Sequence, residues 1–148
     1  MNLKRFVGFA GILISALLGG APASMPTAGT RTLIFQGPAT NSTAEVSASL
    51  RIVLVIEGEK ATATIKTELP LSGTGRLEGR FIGGWCELGG KVDEGFQLQF
   101  RGVINARDFR GTYIAAVPGQ PIQYGKFQLT LESAGAVHSA SEVKAASW

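Results

Sequence analysis

The chain has 148 residues, 45% hydrophobic and 17% charged, a composition typical of one globular domain and not of a disordered polymer. Its 14 basic and 11 acidic residues give a formal net charge of +3. Because bases and acids alternate along the chain instead of forming a basic run, we expect no nucleic-acid partner. A single cysteine has no partner for an internal disulfide, so stability must come from packing.

The N-terminal 23 residues have the pattern of a secretory signal peptide. Lys4 and Arg5 precede an apolar run from Phe6 to Leu18. Small residues follow in Ala21-Pro22-Ala23, which is a typical cleavage signal. The apolar run is shorter than the roughly 20 residues that a membrane-spanning helix needs. We therefore expect cleavage near Ala23, a periplasmic or extracellular location, and no membrane insertion of the mature chain.

Beyond this segment, apolar and polar residues alternate with a period of two, and glycine-rich turns divide the alternating stretches. This pattern is typical of antiparallel strands, and no helical period competes with it. The candidate strands are Thr32 to Gln36, Ala44 to Glu57, Lys60 to Leu69, Gly75 to Ile82, Trp85 to Val92, Phe96 to Ile104, Phe109 to Val117 and Ile122 to Glu132. We expect a flexible segment at 24–31, one domain at 32–132 and a disordered tail at 133–148.

Turn chemistry predicts how these strands pair. The stretches Gly58-Glu59, Gly83-Gly84, Asp93 to Gly95 and Asn105 to Asp108 have lengths typical of β-hairpin loops. The resulting registers place the large apolar residues on one face, which a slip by one residue would invert. The predicted inward rows alternate large and small residues: Phe81, Cys86, Gly102 and Gly111; Gly79, Leu88, Phe100 and Tyr113; Leu77, Gly90, Leu98 and Ala115. The sequence therefore predicts an all-β antiparallel up-and-down meander of about eight strands, closed into a small barrel. A two-sheet β-sandwich is the alternative.

Residues for catalysis and metal binding are scarce. The sole histidine, His138, lies in the predicted tail, so a Ser-His-Asp triad or a zinc site lacks its residues. The carboxylates fall on outer faces or in turns, and the registers set Glu87 between Arg80 and Arg101. Cys86 points inward and is expected to be an inert buried thiol. We therefore expect no enzyme, no metal site and no cofactor.

Aromatic rings beside glycines on the inner face indicate a binding module for a small, largely apolar ligand. The candidate ligand-binding residues are Phe81, Phe96, Phe100 and Tyr113. The alternative is a filled barrel whose glycines only bend strands, acting through its outer surface as an envelope or secreted interaction protein or as a protein inhibitor. The candidates for that surface are Val53, Val55 and Trp85, of which the two valines need cover from the N-terminal segment or from another molecule.

The segment from Gly95 to Val117 reads GFQLQFRGVINARDFRGTYIAAV and resembles the first hairpin of the avidin family, which are biotin-binding eight-stranded meander barrels. The likeness lies in the glycine start, the apolar spacing and the stretch FRGTYIAAV. It implies a meander barrel in which Tyr113 matches the family's biotin-contacting tyrosine. Ala115, however, stands where that family has a hydroxyl residue, and the hairpin is sixth and seventh here instead of first and second. The resemblance supports the fold by analogy and does not extend to biotin binding.

Overall fold

The computed structural model of the chain describes residues 29–137. These residues form eight strands: β1 (Thr30–Asn41), β2 (Val46–Glu57), β3 (Lys60–Thr67), β4 (Thr74–Ile82), β5 (Trp85–Lys91), β6 (Gln97–Ile104), β7 (Asp108–Ala116) and β8 (Gln123–Val137). Each strand pairs antiparallel with the next, and β8 pairs with β1, so the sheet closes into a barrel. The predicted meander barrel is confirmed, and the sandwich alternative is wrong. Residues 29–137 contain no helix long and apolar enough to cross a membrane.

The predicted hairpin registers are the observed ones. Phe81 faces Cys86 across the β4–β5 hairpin, and Phe100 faces Tyr113 across the β6–β7 hairpin. At the tip of the first of these, Gly83 and Gly84 have φ angles of 57° and 86°, which only glycine adopts freely. Turn length and glycine position were therefore sufficient to set the faces of these strands.

The first strand is longer than predicted. The prediction ended this strand at Gln36, whereas β1 continues through Gly37-Pro38, a dipeptide typical of turns, to Asn41. The exposed Pro38 lies where the pairing of β1 with β8 lapses, between Gln36 and Ala39. A proline lacks the backbone N–H that such pairing uses, and its position in this gap reconciles it with the strand.

The last strand also extends beyond its prediction, which ended at Glu132. Ile34 pairs with Ser133 while the neighbouring Phe35 pairs with Leu131, so Glu132 is the extra residue of a β-bulge. The bulge resets the alternation of faces, and the small residues after it show no apolar period. The predicted tail therefore begins too early, because 133–137 belongs to β8. His138 and the rest of that tail, like the predicted signal peptide, lie outside the described residues.

The strands are staggered around the barrel. A path that follows paired residues once around the barrel starts at Arg31 and returns to β1 at Asn41, so the strand register shifts by ten residues in one circuit. The residues along this path are Ile56, Ala61, Gly79, Leu88, Phe100, Tyr113 and Gly125. An eight-stranded barrel has an interior just wide enough to be filled by side chains or to hold one small ligand. The size of the inward side chains therefore decides which parts of the barrel interior are filled.

Two ends can be distinguished. The packed end carries the β2–β3, β4–β5 and β6–β7 turns, and the open end carries the other four connections. Near the packed end Phe109 contacts Phe35 and Phe127, with ring centroids 5.7 Å and 4.8 Å away. Phe127 then contacts Phe100, which contacts Tyr113, at 5.4 Å and 5.5 Å. This chain of rings fills the middle of the barrel and ends below the open end.

Candidate functional site

A cavity of about 430 Å³ enters the barrel at the open end. Its inner surface is formed by apolar side chains together with polar ones such as Asn41 and Thr67, and the apolar residues include Ala39, Leu50, Leu98, Phe100 and Ala115. The β3–β4 loop contributes Pro70 and Leu71 to its mouth, and Gln120 and Gln123 stand on the opposite side. A volume between roughly 300 and 1,000 Å³, mostly apolar walls and a few polar groups are the usual attributes of a small-molecule site.

Small side chains, and not the predicted room beside inward glycines, make this space. Ala39 and Ala115 stand at cavity level on β1 and β7. The inward glycines Gly102 and Gly111 face each other, and a Cβ on either would collide with the backbone of the neighbouring strand. Their function is therefore close strand approach and curvature. For this pair, the alternative in which glycines bend strands is the correct one.

The structure brings together three of the four predicted ligand-binding residues. Phe96, Phe100 and Tyr113 line the cavity. Phe81 does not, because it lies at the packed end, where the guanidinium of Arg31 stands 5.6 Å from the centre of its ring. Successive turns of a meander alternate between the two ends. Phe81 precedes the β4–β5 turn, whereas Phe96 follows the β5–β6 connection. Their positions relative to these turns therefore predict that the two rings lie at opposite ends.

A polar side chain that the sequence analysis missed shapes one wall. Asn41 is 4% exposed, and its Nδ2 donates a hydrogen bond of 2.6 Å to Oε1 of Gln123. Its Oδ1 accepts hydrogen bonds from the backbone N–H groups of Thr43 and Ala44 at 3.0 Å and 2.9 Å. Asn41 thus ties the β1–β2 turn to the start of β8. The sequence signal that could have identified Asn41 is an asparagine placed directly before a polar turn.

Tyr113 is the least satisfied polar residue of the cavity wall. Its side chain lies over Gly125, where an added Cβ would collide with the ring, so this glycine makes the ring's position possible. The residue is 7% exposed, and its Oη has no hydrogen-bond partner among the described residues. Burial raises the pKa of the phenol, which stays neutral at physiological pH. A buried hydroxyl without a partner is destabilising and is uncommon in native proteins.

Glu94 is the charged side chain at the cavity. Its two carboxylate oxygens lie 3.1 Å and 3.0 Å from the backbone nitrogen of Thr74, which donates to them. This hydrogen bond is the main cause that lowers the pKa of Glu94, so the group is ionised at neutral pH. Among residues 29–137, the cavity lining includes no lysine, arginine or histidine, so the charge that the described lining carries is that of Glu94.

The outer wall carries one apolar cluster. Trp85 pairs with Ile82 on one side and with Val103 on the other, and these residues are 46%, 46% and 47% exposed. The outward position predicted for Trp85 is observed. Val53 and Val55 also face outward, but both are partly buried, because β-branched residues of β1 and β3 flank them.

The predicted charge pairing at Glu87 is half correct. Glu87 lies 3.6 Å from Arg101 and accepts a hydrogen bond of 3.2 Å from Nε1 of Trp85. Arg80 faces Glu87 in the register, but its ion pair is with Glu59, at 3.8 Å. Backbone register fixes which residues are neighbours, while long exposed side chains choose among several partners. Exposed pairs of this kind contribute little to stability.

Cys86 is fully buried in the packed half of the barrel. Burial, with a smaller contribution from the nearby Glu87 carboxylate, raises the pKa of its thiol to about 12. The thiolate that nucleophilic chemistry requires is thus disfavoured. Across residues 29–137, no three His, Cys, Asp or Glu side chains come close enough together to hold a metal ion.

Comparison of this chain with protein-family models, with curated proteins and with solved structures gives no match in any of the three. Function is therefore inferred from the cavity and from the outer wall.

Proposed function

We propose that this protein is a non-enzymatic binding module that holds one small, largely apolar ligand in the cavity at its open end. The cavity itself carries the proposal. The packed end of the same barrel is filled by aromatic rings, whereas the open end keeps about 430 Å³ of space above Phe100. We also propose that the mature chain acts outside the cytoplasm, as the N-terminal sequence pattern predicts.

The lining explains why an apolar ligand is favoured. Leu98, Phe100 and Leu50 offer apolar surface, and burial of apolar ligand surface is worth about 25 cal/mol per Å² before the costs of association. Polar side chains such as Asn41, Gln120 and Gln123 complete the lining and offer hydrogen-bonding groups. An arrangement of this kind binds through shape and burial, with one or two hydrogen bonds to set orientation.

A bulky substitution inside the cavity tests the proposal. Ala115 lines the cavity, while its neighbour Ala116 pairs with Gln97 and faces outward. We expect Ala115→Trp to fill the space and to abolish both co-purification of a small molecule, measured by native mass spectrometry, and uptake of an apolar fluorescent probe. Ala116→Trp adds the same group outside the barrel and should leave both unchanged.

The two variants also separate blocking from misfolding. Circular dichroism and thermal melts should show that both keep the barrel. If neither a co-purified molecule nor probe binding is seen in the wild type, or if Ala115→Trp binds as the wild type does, the cavity is not a ligand site.

A second candidate function is supported by the outer cluster of Ile82, Trp85 and Val103. Three adjacent exposed apolar side chains, one of them an indole, are the kind of surface that protein partners bind. Affinity capture with the wild type and with Trp85→Ala tests this alternative. Loss of a captured protein in Trp85→Ala, with retention in Ala115→Trp, would favour the interaction protein over the ligand-binding module.

A further inference from the structure

The side chain of Gln123 brings an amide to the inner face of the barrel at the mouth of the cavity. Gln123 is the first residue of β8 and pairs with Ala115, which lines the cavity. Paired residues of neighbouring strands share a face of the sheet, so Gln123 also points inward, and it belongs to the lining. The next residue, Tyr124, is bonded through its backbone to Ser42 at 2.8 Å and to Thr43 at 3.0 Å. The backbone that carries Gln123 is therefore held by β7 and by the β1–β2 turn.

The hydrogen bonds of Asn41 determine how the Gln123 amide is oriented. Oδ1 of Asn41 accepts hydrogen bonds from two backbone N–H groups, so its Nδ2 is the end that meets Gln123. Nδ2 is only a donor, and the atom of Gln123 that lies 2.6 Å away is accordingly the acceptor Oε1. Nε2 of Gln123, which carries two N–H donors, is thus left for another partner.

This Nε2 group is both without a protein partner and accessible. Within residues 29–137, the side-chain hydrogen bond of Gln123 uses Oε1 and not Nε2. Oη of Tyr113 is the enclosed polar atom without a partner in this part of the chain, whereas Nε2 of Gln123 retains accessible surface. A donor that is held in one orientation before binding loses little freedom when an occupant accepts its hydrogen bond.

We propose that the ligand is a neutral molecule with a hydrogen-bond-accepting oxygen, such as the carbonyl of a ketone, ester or amide, which accepts from Nε2 of Gln123 while the apolar part lies against Phe100. This inference rests on the proposed function and specifies the class of ligand. An ammonium group carries only donors and cannot accept a hydrogen bond from Nε2. A carboxylate can accept one, but burial of its charge is costly, and the described lining offers no cation to offset that cost.

Two probes of nearly the same shape test the hydrogen bond. Acetophenone carries a ketone oxygen, and α-methylstyrene has a methylene group in place of that oxygen. The hydrocarbon gains more from leaving water, so the ratio of the two affinities is compared between protein variants and is not interpreted in the wild type alone. Isothermal titration calorimetry, or displacement of an apolar fluorescent probe, measures both affinities.

The variant Gln123→Glu removes the donor and keeps the contact with Asn41. One carboxylate oxygen takes the place of Oε1 and accepts from Asn41, whereas the other takes the place of Nε2 and cannot donate. We expect affinity for acetophenone to fall at least about threefold relative to affinity for α-methylstyrene, because one neutral hydrogen bond is lost. Gln120→Glu places the same charge on an exposed residue of the lining and should leave the ratio unchanged.

A second measurement does not depend on the variant. In isotope-labelled wild-type protein, nuclear magnetic resonance follows the side-chain amide protons of Gln123. We expect these resonances to shift downfield when acetophenone binds and to shift less when α-methylstyrene binds, because only the ketone accepts a hydrogen bond from Nε2.

The outcomes separate this inference from the proposed function. If both probes bind but lose affinity equally in Gln123→Glu, or if the Gln123 amide responds alike to both, Gln123 does not select the ligand and the binding module stands. A co-purified molecule without an acceptor oxygen would likewise overturn this inference alone. If neither probe binds the wild type and no small molecule co-purifies with it, the proposed function itself fails.

Discussion

The packed and open ends of the barrel are built from the same eight strands, yet within residues 29–137 the cavity that enters the barrel interior lies at the open end. At the packed end, fully buried Phe35 and Phe109 meet across the interior, and Arg31 covers the ring of Phe81. At the open end the corresponding space is bounded by small residues such as Ala115. The barrel's closure and stagger are common to both ends, so the size of the inward side chains makes the difference.

The connections differ as well. The turns of the packed end are short, and their charges include both signs. The open end has the longer β3–β4 and β7–β8 connections, and the charged side chains of its loops are all acidic. Function in β-barrels is commonly located where loops surround an open end, whereas tight turns mainly complete the fold. The comparison thus divides the molecule into a structural end and a binding end.

Matched truncations at the two ends should give the largest contrast in stability. Phe109 is fully buried between Phe35 and Phe127, so Phe109→Ala should lower the free energy of unfolding by about 3–5 kcal/mol. Phe96 is 9% exposed and borders existing space, so Phe96→Ala should lower the free energy of unfolding less than Phe109→Ala does. Urea denaturation measures both. Equal losses would show that the open end is as tightly packed as the other.

Two glycines of β8 give the next largest contrast. A Cβ at Gly125 would collide with the Tyr113 ring and come within 2.5 Å of the Thr40 carbonyl oxygen, whereas no atom of the described part of the chain lies within 4 Å of one at Gly135. Gly125→Ala should therefore destabilise the protein by about 1–3 kcal/mol and displace the ring from the cavity wall. Gly135→Ala should be neutral or slightly stabilising. Thermal melts of both variants would contradict this picture if the two shifts were similar.

Most of the fold was predictable from sequence because alternation and turn length act locally. The Gly83-Gly84 turn alone fixes which residues of β4 and β5 face inward. The bulge at Glu132 was not predictable, because it depends on pairing with β1, far away in sequence. Phe100 and Tyr113 were identified as inward rings, but the space beside them depends on small side chains, such as Ala39 and Ala115, that distant strands bring together. The exclusion of Phe81 from the site was predictable, because the turns of a meander alternate between the two ends and Phe81 precedes a turn of the packed end.

Burial in the packed half predicts a specific pH dependence. The thiol of Cys86 has its pKa raised from 9.0 to about 12 in the folded protein. Between these values the unfolded chain loses the proton and the folded chain keeps it, so unfolding becomes more favourable as pH rises. The contribution is fully present below about pH 9 and is lost at about 1.4 kcal/mol per pH unit above it.

The variant Cys86→Ala isolates this contribution from the titration of other groups. Urea denaturation at about pH 8 and about pH 10 should show a smaller loss of stability in the variant than in the wild type, by about 1.4 kcal/mol. Identical losses in the two proteins would mean that the thiol ionises equally easily in the folded state, and that the packed half is open to water.

The smallest expected effect concerns the hydroxyl at the open end. Because Oη of Tyr113 is buried without a partner among the described residues, removing it in Tyr113→Phe should stabilise the empty barrel by about 1 kcal/mol. Tyr124→Phe, at a residue that is 55% exposed, is the control and should leave the stability unchanged. A loss of stability in Tyr113→Phe, measured by urea denaturation against this control, would show instead that the hydroxyl is hydrogen-bonded in the folded protein and serves the fold.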